Sequence, residues 1–416
     1  MGRRARLANL AWDALRARAG GTGGITARRE RRLGNILARA RRTPLYRRLW
    51  SGIPERAELS GLPPVTKAEW VQSFEESVID PEVTREDLWS YVQNPTRVGQ
   101  PWRGRYTVCR SSGVSGRKSL FLADQDAMDV YWALWLTRGW LPWLGPAGVA
   151  RLGRRGGRVA SLIATNGHFA SAAMIRRPSP LGAIADVRSA TLSILKPVSR
   201  LARALEHLRP AAIIGYPTLL EQLAARQREE AGALDLVLAV SVSEWIEPAA
   251  RRRIEEGFGC PLRDSYAASE FLAIGFYCPA RWLHVNADWV VLEAVDEDMR
   301  PVLPGQASHT ALLTNAGEAV TVAPMGLVVT TGSTPGIEAG YQFVQTGPRE
   351  LSVRIAFRPE AVEADVWREL ERRLRSHLRS LGLAAVEVVR SPVPPGRDER
   401  TGKLRKTWSE LPVAAP

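Results

Sequence analysis

The sequence predicts an α/β fold: a large N-terminal domain over residues 1–316 and a small C-terminal α+β domain over residues 317–416. In the first part of the chain, short apolar runs closed by turn residues alternate with helical segments, as is typical of buried parallel strands joined by helices. Near residue 316 the composition shifts to Gly, Pro and Thr, and this alternation ends. Two strands, a one-sided helix and a further strand follow, which indicates a separate small sheet covered on one face.

The first elements are predicted to be helical. Residues 1–20 carry arginine throughout and predict an amphipathic docking helix. Its apolar face consists of Leu7, Leu10, Ala11, Ala14 and Leu15. Residues 26–50 predict a helical element that ends at Pro44, Thr66 is the predicted N-cap of the next helix, and residues 82–92 predict a short polar helix.

The central elements alternate between strand and helix. Residues 106–123 predict a strand, a Gly/Ser turn and a second strand, and residues 125–140 predict an apolar, Trp-rich helix. Buried strands are predicted at 156–164, 211–215 and 234–245, and helices at 197–208, 217–231 and 248–258. In the small domain, residues 360–381 predict a helix with one apolar stripe. The stripe consists of Val362, Val366, Leu370, Leu374, Leu378 and Leu381.

The net charge of the chain narrows the classes of molecule that we expect it to bind. A formal net charge of +14, from 57 Lys+Arg against 43 Asp+Glu, favours an anionic partner such as a nucleotide, CoA, nucleic acid or a membrane surface. The arginines are scattered and form no basic block interleaved with aromatics, which argues against a nucleic-acid groove. Residues 1–20 contain no unbroken apolar core, so neither a signal peptide nor a membrane span is predicted.

The three cysteines, Cys109, Cys260 and Cys278, are too few and too widely spaced for a disulfide framework. A reducing cytoplasm fits this usage, and we expect a cytoplasmic protein.

Residues 111–118, "SSGVSGRK", form a turn rich in hydrogen-bond donors between two apolar runs. A Gly/Ser turn exposes backbone N–H groups and hydroxyls, which together make a concave surface for phosphate oxygens. Arg117 and Lys118 add positive charge. The segment is not a GxxxxGK[ST] loop, because no Lys-Ser/Thr pair stands in place and a strand rather than a helix follows. An ordinary Ser/Gly hairpin has the same composition, so both interpretations stay open.

Further segments follow in a fixed order: "IIGYPTLLEQLA", "SVSEWIEP", "RDSYAASEFLAIGFYC", "HVNADWVVLEAVDED" and "RTGKLRKTW". With the 111–118 segment, this series resembles the adenylate-forming, AMP-binding superfamily, and most of all its phenylacetate–CoA ligase branch. The resemblance extends from "RTPLYR" to "GKLRKTW", which is nearly the whole chain. It implies ATP-dependent activation of a carboxylate as an acyl-adenylate, followed by transfer to CoA or another nucleophile.

The resemblance implies that the 111–118 segment closes over the β- and γ-phosphates of ATP. Its implied contacts are Ser111, Ser112, Gly113, Ser115, Gly116 and Lys118. Val114 stands where the family has Thr or Ser, which removes one hydroxyl donor. Lys118 stands where Pro is common, which partly restores positive charge.

"YAASE" matches the family's Tyr-Gly-x-Ser/Thr-Glu. The resemblance implies that Tyr266 packs against adenine, that Ser269 approaches the α-phosphate and that Glu270 holds Mg²⁺. Ala267 replaces the usual Gly, a mild change if its φ is negative. Without this context, Glu270 would be interpreted as a solvated loop carboxylate.

Three other segments supply implied contacts. "SVSEW" places Ser243, Glu244 and Trp245 beside the adenine. Tyr216 and Pro217 are implied to line the acyl pocket, with an ordinary strand-to-helix turn as the alternative. In "RTGKLRK", Lys403 is implied to reach the carboxylate and the α-phosphate, although a solvated terminus has the same composition.

The resemblance breaks after "LLTN". The family's Arg-Tyr-x-x-Gly-Asp, whose Asp binds both ribose hydroxyls, does not occur in the chain, and the hinge that follows it is missing as well. We therefore expect weakened ATP binding and restricted rotation of the small domain. Asp288 is the nearest surviving acid in sequence. Of the Cys and His residues that form a zinc site in some members of the branch, Cys278 and His284 survive, which is too few for a structural site.

Two functions follow from these observations. The first is an ATP-, Mg²⁺- and CoA-dependent ligase acting on a small-molecule carboxylate. The second is a degenerate, non-adenylating homologue that acts as a binding protein or uses a preformed acyl donor. An aromatic or other hydrophobic acid is expected, although the tryptophans that suggest it also suit a buried helix. These are Trp132, Trp135, Trp140 and Trp143. We expect no nucleic-acid partner, and association as a homodimer.

Overall fold

The structure is a computed structural model. It describes residues 2–54, 57–65, 67–111, 119–178, 188–229, 234–244, 246–295, 302, 310–315, 337–347, 350–380, 387–396 and 407–409. The chain divides into two compact units, the first of Met1–Arg110 with Leu120–Pro324 and the second of Ser111–Ser119 with Met325–Pro416. The predicted boundary after residue 316 falls in the segment 316–336, outside the described residues, and stays a prediction.

The strands of the first unit are short and mostly apolar. They are β1 (Thr107–Arg110), β2 (Leu120–Ala123), β3 (Val159–Ile163), β4 (Ser189–Ser193), β5 (Ala212–Gly215), β6 (Leu238–Ser241), β7 (Leu262–Tyr266), β8 (Gly275–Tyr277), β9 (Leu283–Val285), β10 (Val290–Val295) and β11 (Thr310–Asn315). Seven of them form the main sheet in the order β4-β3-β5-β6-β7-β8-β9. The strands from β4 to β7 are parallel, and β8 and β9 pair antiparallel.

Two antiparallel pairs, β1–β2 and β10–β11, complete the strands of this unit. The parallel strands are buried because their sequences are continuous apolar runs, as "LAVS" in β6 illustrates with all four residues buried. The alternation of buried strands with helices predicted from the sequence is confirmed.

The helices of the first unit are α1 (Arg3–Ala19), α2 (Gly21–Ala40), α3 (Pro44–Leu49), α4 (Lys67–Gln72), α5 (Phe74–Ser77), α6 (Arg85–Val92), α7 (Gln125–Leu134), α8 (Leu141–Arg154), α9 (Ala170–Ile175), α10 (Val198–Leu208), α11 (Pro217–Glu229) and α12 (Pro248–Phe258). Short 3₁₀ turns occupy Leu59–Gly61 and Pro95–Arg97. The core beneath the sheet packs residues of α10, α11 and α12 against β3, β5 and β6. Helices α11 and α12 approach closely, since a Cβ on Gly257 would lie 2.6 Å from the carbonyl oxygen of Ala224.

The Trp-rich segment differs from the single helix predicted over 125–140. Helix α7 ends at Leu134 and continues as a π-helical segment, Trp135–Trp140, into α8. Within α8, Gly145 has a φ of +59° and Pro146 follows, which kinks the helix there. The sequence pattern did not reveal these changes of helix type because the apolar periodicity is almost uninterrupted.

The N-terminal helix forms as predicted, but its buried face is slightly rotated. Leu7, Ala14 and Ala17 are buried, whereas Leu15 is 41% exposed. Ion pairs fix this region, with Arg28 contacting Asp13 and Arg3 contacting Asp129. The predicted N-cap Thr66 lies outside the described residues.

The second unit contains a four-stranded sheet in the order β14-β13-β12-β15. Its elements are β12 (Ile337–Gly347), β13 (Glu350–Phe357), α13 (Glu363–Ser380), β14 (Glu387–Arg390) and β15 (Thr407–Ser409). Strands β12 and β13 are antiparallel, and β14 and β15 are parallel to their neighbours. The predicted stripe of α13 buries Leu370 and Leu374 against Val353, whereas Val362 precedes the helix and is 65% exposed.

Candidate active site

Most of the predicted site residues that the structure describes lie at one edge of the main sheet. Strands β3, β5, β6 and β7 are parallel, so their carboxyl ends meet at the same edge, where open α/β sheets bind ligands. The residues that follow these strands include Tyr216 after β5, Ser243 after β6, and Ser269 after β7. The strand order reverses between β3 and β5, because β4 lies on the other side of β3.

Tyr216 lies at this reversal and is buried, with 6% of its surface exposed. Its hydroxyl accepts a long hydrogen bond of 3.4 Å from the backbone N–H of Ala164, which directly follows β3. Burial raises the pKa of the Tyr216 phenol, and hydrogen bonds with the Ser171 and Ser243 hydroxyls partly oppose that change. The edge between β3 and β5 therefore holds a neutral phenol among hydroxyl groups. The adjacent Pro217 is buried at the start of α11.

Ser243 and Glu244 follow β6 in the arrangement predicted from the sequence. Ser243 has a φ of +71°, an uncommon value for a residue with a side chain. Glu244 accepts hydrogen bonds from Thr218, at 3.2 Å from the backbone N–H and 2.9 Å from the hydroxyl. Burial raises the pKa of Glu244, and the Thr218 bonds partly oppose this. Thr218 and Ser171 were not singled out from the sequence, because nothing local marks them as neighbours of residues after other strands.

The loop after β7 carries Tyr266, Ser269 and Glu270. Tyr266 is 43% exposed and offers a ring face, whereas Ser269 and Glu270 are buried, at 6% and 3% exposed. Ala267 has no positive φ, so the loss of the family's glycine leaves the backbone unstrained. Reciprocal backbone hydrogen bonds between Ala268 and Phe271, at 3.0 and 3.1 Å, tighten the loop.

Aromatic residues of α7 and the π-helical segment hold this loop. The Tyr131 ring meets Phe271 edge-on with centroids 5.1 Å apart, and the Trp135 indole N–H donates to the Leu272 carbonyl at 3.0 Å. Trp143 donates similarly to the Tyr277 carbonyl at 2.8 Å. Trp135 and Trp143 therefore act in packing, and the aromatic acid suggested by the tryptophans stays a prediction.

Asn286 also holds the loop after β7, through hydrogen bonds to the loop's backbone. Its side-chain N–H donates to the Ala273 carbonyl, and its backbone N–H donates to the Ile274 carbonyl at 2.8 Å. Its side-chain oxygen accepts from Arg138 at 3.1 Å. Asn286 is 1% exposed, so the loop that bears Glu270 is fixed within the core.

The antiparallel strands β1 and β2 precede and follow the segment of the predicted phosphate contacts, and β1 contacts the loop after β3. The backbone N–H of Arg110 donates at 2.7 Å to the carbonyl of His168, in the loop after β3. Burial raises the pKa of the Cys109 thiol to about 12, with the Arg177 charge opposing and the Glu270 carboxylate adding to the rise. Glu270 therefore lies within electrostatic reach of β1.

Among the predicted phosphate contacts, Ser111 is the residue that lies within the described part of the chain. Its hydroxyl oxygen accepts from the Ser119 N–H at 2.8 Å, its own N–H donates to the Ser119 carbonyl at 2.8 Å, and it is 2% exposed. Ser111 thus pairs with Ser119 across the ends of β1 and β2, a contact the sequence did not indicate. The other predicted contacts lie outside the described residues: Ser112, Gly113, Ser115, Gly116, Lys118, Trp245 and Lys403.

Asp288 is the predicted nucleotide contact whose surroundings argue against that role. It is fully buried, and both carboxylate oxygens accept from Arg138, at 2.6 and 2.9 Å, while Arg32 donates at 3.1 Å. Arg32 also stacks on the Trp289 ring, 3.5 Å from its centroid. A ribose would have to break this cluster to reach the carboxylate, so Asp288 serves the fold.

The described part of the chain holds neither a clustered metal site nor a membrane-spanning helix. No group of three His, Cys, Asp or Glu side chains is placed there to hold a metal ion. Cys278 directly follows β8, and His284 lies on the short strand β9. The Asp288 carboxylate forms ion pairs with Arg32 and Arg138. No described helix is long and apolar enough to cross a membrane.

Solved structures show what the fold resembles. A 2-hydroxyisobutyryl-CoA ligase in complex with 2-HIB-AMP and CoA, in the thioesterification state, superposes with a TM-score of 0.57 at 17% identity, over 94% of this chain and 90% of that one. The same ligase in its postadenylation state, bound to 2-HIB-AMP, gives 0.51 at 18% identity and the same coverage. No protein-family model and no curated protein sequence matches the chain. The chain has the fold of the CoA ligases of the adenylate-forming superfamily.

Proposed function

We propose that this protein activates a carboxylic acid with ATP and transfers the acyl group to CoA or another nucleophile. The observation that carries the proposal is the meeting of four segments at one sheet edge, in a fold shared with CoA ligases. These are the segments after β3, β5, β6 and β7, and three of them contain residues that the adenylate-forming resemblance singles out. The phenylacetate–CoA ligase branch is the part of the superfamily that the sequence resembles most.

In the proposed first step, a carboxylate oxygen of the acid attacks the α-phosphorus of ATP. The bond to the β-phosphate breaks, pyrophosphate leaves and an acyl-adenylate remains. In the second step a thiol sulfur attacks the acyl carbon and AMP departs with the bonding pair. Catalysis of this kind depends on positioning and on donors fixed before the reaction. The rigid loop after β7 would place Ser269 near the α-phosphate, and the exposed ring of Tyr266 would pack on adenine.

Glu270 suits the Mg²⁺ that the fold family implies. Mg²⁺ takes hard oxygen ligands and is usually held by one or two carboxylates plus substrate phosphates. Glu270 supplies one carboxylate at the sheet edge, in a loop fastened by Asn286 and Trp135. When bound there, the ion would neutralise phosphate charge. Lys403 is proposed to contact the reacting oxygens.

The acyl pocket is proposed to include Tyr216, Pro217 and the hydroxyls of Ser171 and Ser243. This lining mixes a buried ring with polar groups, so it accommodates a hydrophobic acid, aromatic acids included, and also an acid with a polar substituent. We propose a cytoplasmic enzyme whose partners are a small carboxylate and CoA, and we retain the homodimer as a prediction.

A second function is favoured by one specific observation. The ribose-binding Arg-Tyr-x-x-Gly-Asp motif is missing from the sequence, and Asp288, the nearest surviving acid in sequence, is enclosed by Arg32 and Arg138. A degenerate homologue that binds acyl compounds without adenylating them would show this loss. Weak or undetectable binding of Mg²⁺–ATP in a calorimetric titration is the expected signature of that alternative.

The test is acid-dependent release of pyrophosphate from Mg²⁺–ATP across aromatic, aliphatic and hydroxylated carboxylic acids. We expect release with at least one acid and a fall of about a hundredfold or more in Glu270→Gln, because the carboxylate acts in the transition state. Glu256→Gln, which changes an exposed carboxylate on α12, is the matched control and should retain the wild-type rate. No release with any acid, together with absent ATP binding, contradicts the proposal and favours the degenerate alternative.

A further inference from the structure

Arg110, the last residue of β1, carries a positive charge without a negative partner in the described part of the chain. No described group hydrogen-bonds to its guanidinium, and its Nε is buried without an acceptor. Burial is the cause that lowers its pKa, and no carboxylate offsets it. Two other arginines of this unit have side-chain partners: the partly buried Arg138 has Asp288, and the buried Arg177 has Thr107 and Gln125.

The loop after β3 holds the Arg110 guanidinium in place. A Cβ on Gly167 would lie 2.5 Å from Nη2 and 3.0 Å from the guanidinium carbon, so the group is seated directly on this glycine. The Phe169 ring lies 5.0 Å from the guanidinium carbon, within the range of a cation–π contact. The backbone N–H of Arg110 is bonded to His168 in the same loop. Gly167 has no positive φ, so the close approach itself accounts for a glycine at this position.

The neighbours of this guanidinium that the structure describes and that are named above carry no negative charge. His168 is 1% exposed, and burial lowers the pKa of its imidazole, with smaller contributions in the same direction from Arg110 and Arg176. The imidazole is therefore neutral near pH 7 and supplies no counter-charge. Arg110 is partly buried and its Nε is fully buried, so the guanidinium loses part of its hydration without gaining a described partner, and a ligand that provides the missing negative charge would offset that loss.

We propose that Arg110, seated on Gly167 and Phe169, binds an oxyanion of the substrates, and specifically the diphosphate portion of ATP and the pyrophosphate that it releases. A guanidinium presents a planar fork that matches phosphate and carboxylate oxygens in pairs. The choice of phosphate rests on the proposed function and on chain position, because Arg110 directly precedes the predicted phosphate-binding segment. A second carboxylate on the acid substrate has the same chemistry and is the other source to be tested.

The experiment is calorimetric titration of the full-length protein with Mg²⁺–pyrophosphate, and separately with phthalate and succinate beside benzoate and propionate. Arg110→Gln should weaken pyrophosphate binding by about tenfold or more, because a charge-assisted pair is lost. Arg110→Lys should recover part of the loss. Gly167→Ala keeps the charge but displaces the guanidinium, so it should reproduce most of the loss, and the double variant should be no weaker than Arg110→Gln alone.

Arg97→Gln is the matched control, since Arg97 is also packed on an aromatic ring, that of Tyr91, but is exposed. It should bind pyrophosphate as the wild type does. If Arg110→Gln instead weakens the dicarboxylates by about tenfold and spares pyrophosphate and the monocarboxylates, the oxyanion is a second carboxylate of the acid.

The inference is overturned if Arg110→Gln binds every ligand as tightly as the wild type, or if the wild type binds neither pyrophosphate nor a dicarboxylate. A wild type that binds pyrophosphate through Arg110 yet releases none from ATP with any acid would contradict the proposed function while leaving this site in place.

Discussion

Asp288→Asn tests whether the buried cluster around Asp288 stabilises the fold. The substitution keeps the size of the side chain and removes its charge. Arg138 donates two hydrogen bonds to the carboxylate and Arg32 donates one, and Arg32 also donates at 2.9 Å to the Asp288 carbonyl. The side chains of Arg32 and Arg138 are 13% and 17% exposed. Arg32 keeps its ion pair with Asp13 at 2.5 Å, so the substitution leaves the charge of Arg138 in particular without an acidic partner among the described residues.

Removing one partner of a buried ion pair costs roughly 3–5 kcal/mol, because it leaves the other charge uncompensated. Both arginines retain some contact with solvent, so we expect a loss near the lower end, about 3 kcal/mol. Burial by itself raises the pKa of Asp288, but the hydrogen bond and charge of Arg138, followed by the charge of Arg32, outweigh it and lower the pKa below its usual value. The stabilisation is therefore complete above about pH 4 and declines as the pH falls through the lowered native pKa.

The assay is urea unfolding followed by tryptophan fluorescence at neutral pH and at a series of acidic pH values. Asp235→Asn is the control, because Asp235 also pairs with two arginines, Arg151 and Arg155, but is 54% exposed. An exposed cluster should contribute less than about 1 kcal/mol. If Asp288→Asn is no less stable than Asp235→Asn, or if its deficit persists unchanged at low pH, the cluster does not have the role assigned to it.

Three further changes test local packing and conformation, each measured by thermal unfolding. Gly257→Ala should lower the free energy of unfolding by about 1–3 kcal/mol, because the Cβ of the new alanine would lie 2.6 Å from the Ala224 carbonyl oxygen. An unchanged melting temperature would mean that α11 and α12 can move apart at little cost. Thr84→Ala should lower the free energy of unfolding by about 1 kcal/mol, since the Thr84 hydroxyl caps α6 by accepting from the Asp87 N–H at 3.2 Å. An unchanged stability would mean that this hydrogen bond does not stabilise the helix. Ser243→Gly should gain up to about 1 kcal/mol by relieving a φ of +71°, whereas a loss would show that the Ser243 side chain stabilises more than the strain costs.

The fold class was predictable because it depends on local patterns of apolar runs and helical segments. The run 211–215 predicted a buried strand and β5 occupies Ala212–Gly215, so the residues after it were correctly placed at the end of a strand. Once several parallel strands are predicted, their carboxyl ends must meet at one edge. From the sequence, Tyr216, Ser243 and Glu270 were grouped by the resemblance to the adenylate-forming superfamily, and the strand ends account for their common edge in the structure.

The roles of Asp288 and Arg110 were not predictable because their partners are distant in the chain. Asp288 is paired with Arg32, 256 residues away, and a lone acid after "HVNA" contains no sign of this. The role proposed for Arg110 depends on the contact of its guanidinium with Gly167. The two residues are 57 positions apart in the sequence, and the packing of β1 against the loop after β3 brings them together. The tryptophans were ambiguous for a related reason, since a helical spacing is the same whether the rings line a pocket or, as Trp135 does, fasten a loop.

Oxygen-isotope transfer tests the central claim, that the acid attacks the α-phosphorus of ATP, most directly. The protein is incubated with Mg²⁺–ATP, CoA and a carboxylic acid labelled with oxygen-18 in both carboxylate oxygens, and the nucleotide product is analysed by mass spectrometry. An acyl-adenylate keeps one carboxylate oxygen on phosphorus when the thiol displaces AMP. The account predicts AMP that carries one labelled oxygen, and no such product in Glu270→Gln. Unlabelled AMP, or ADP with the label in inorganic phosphate, would contradict it.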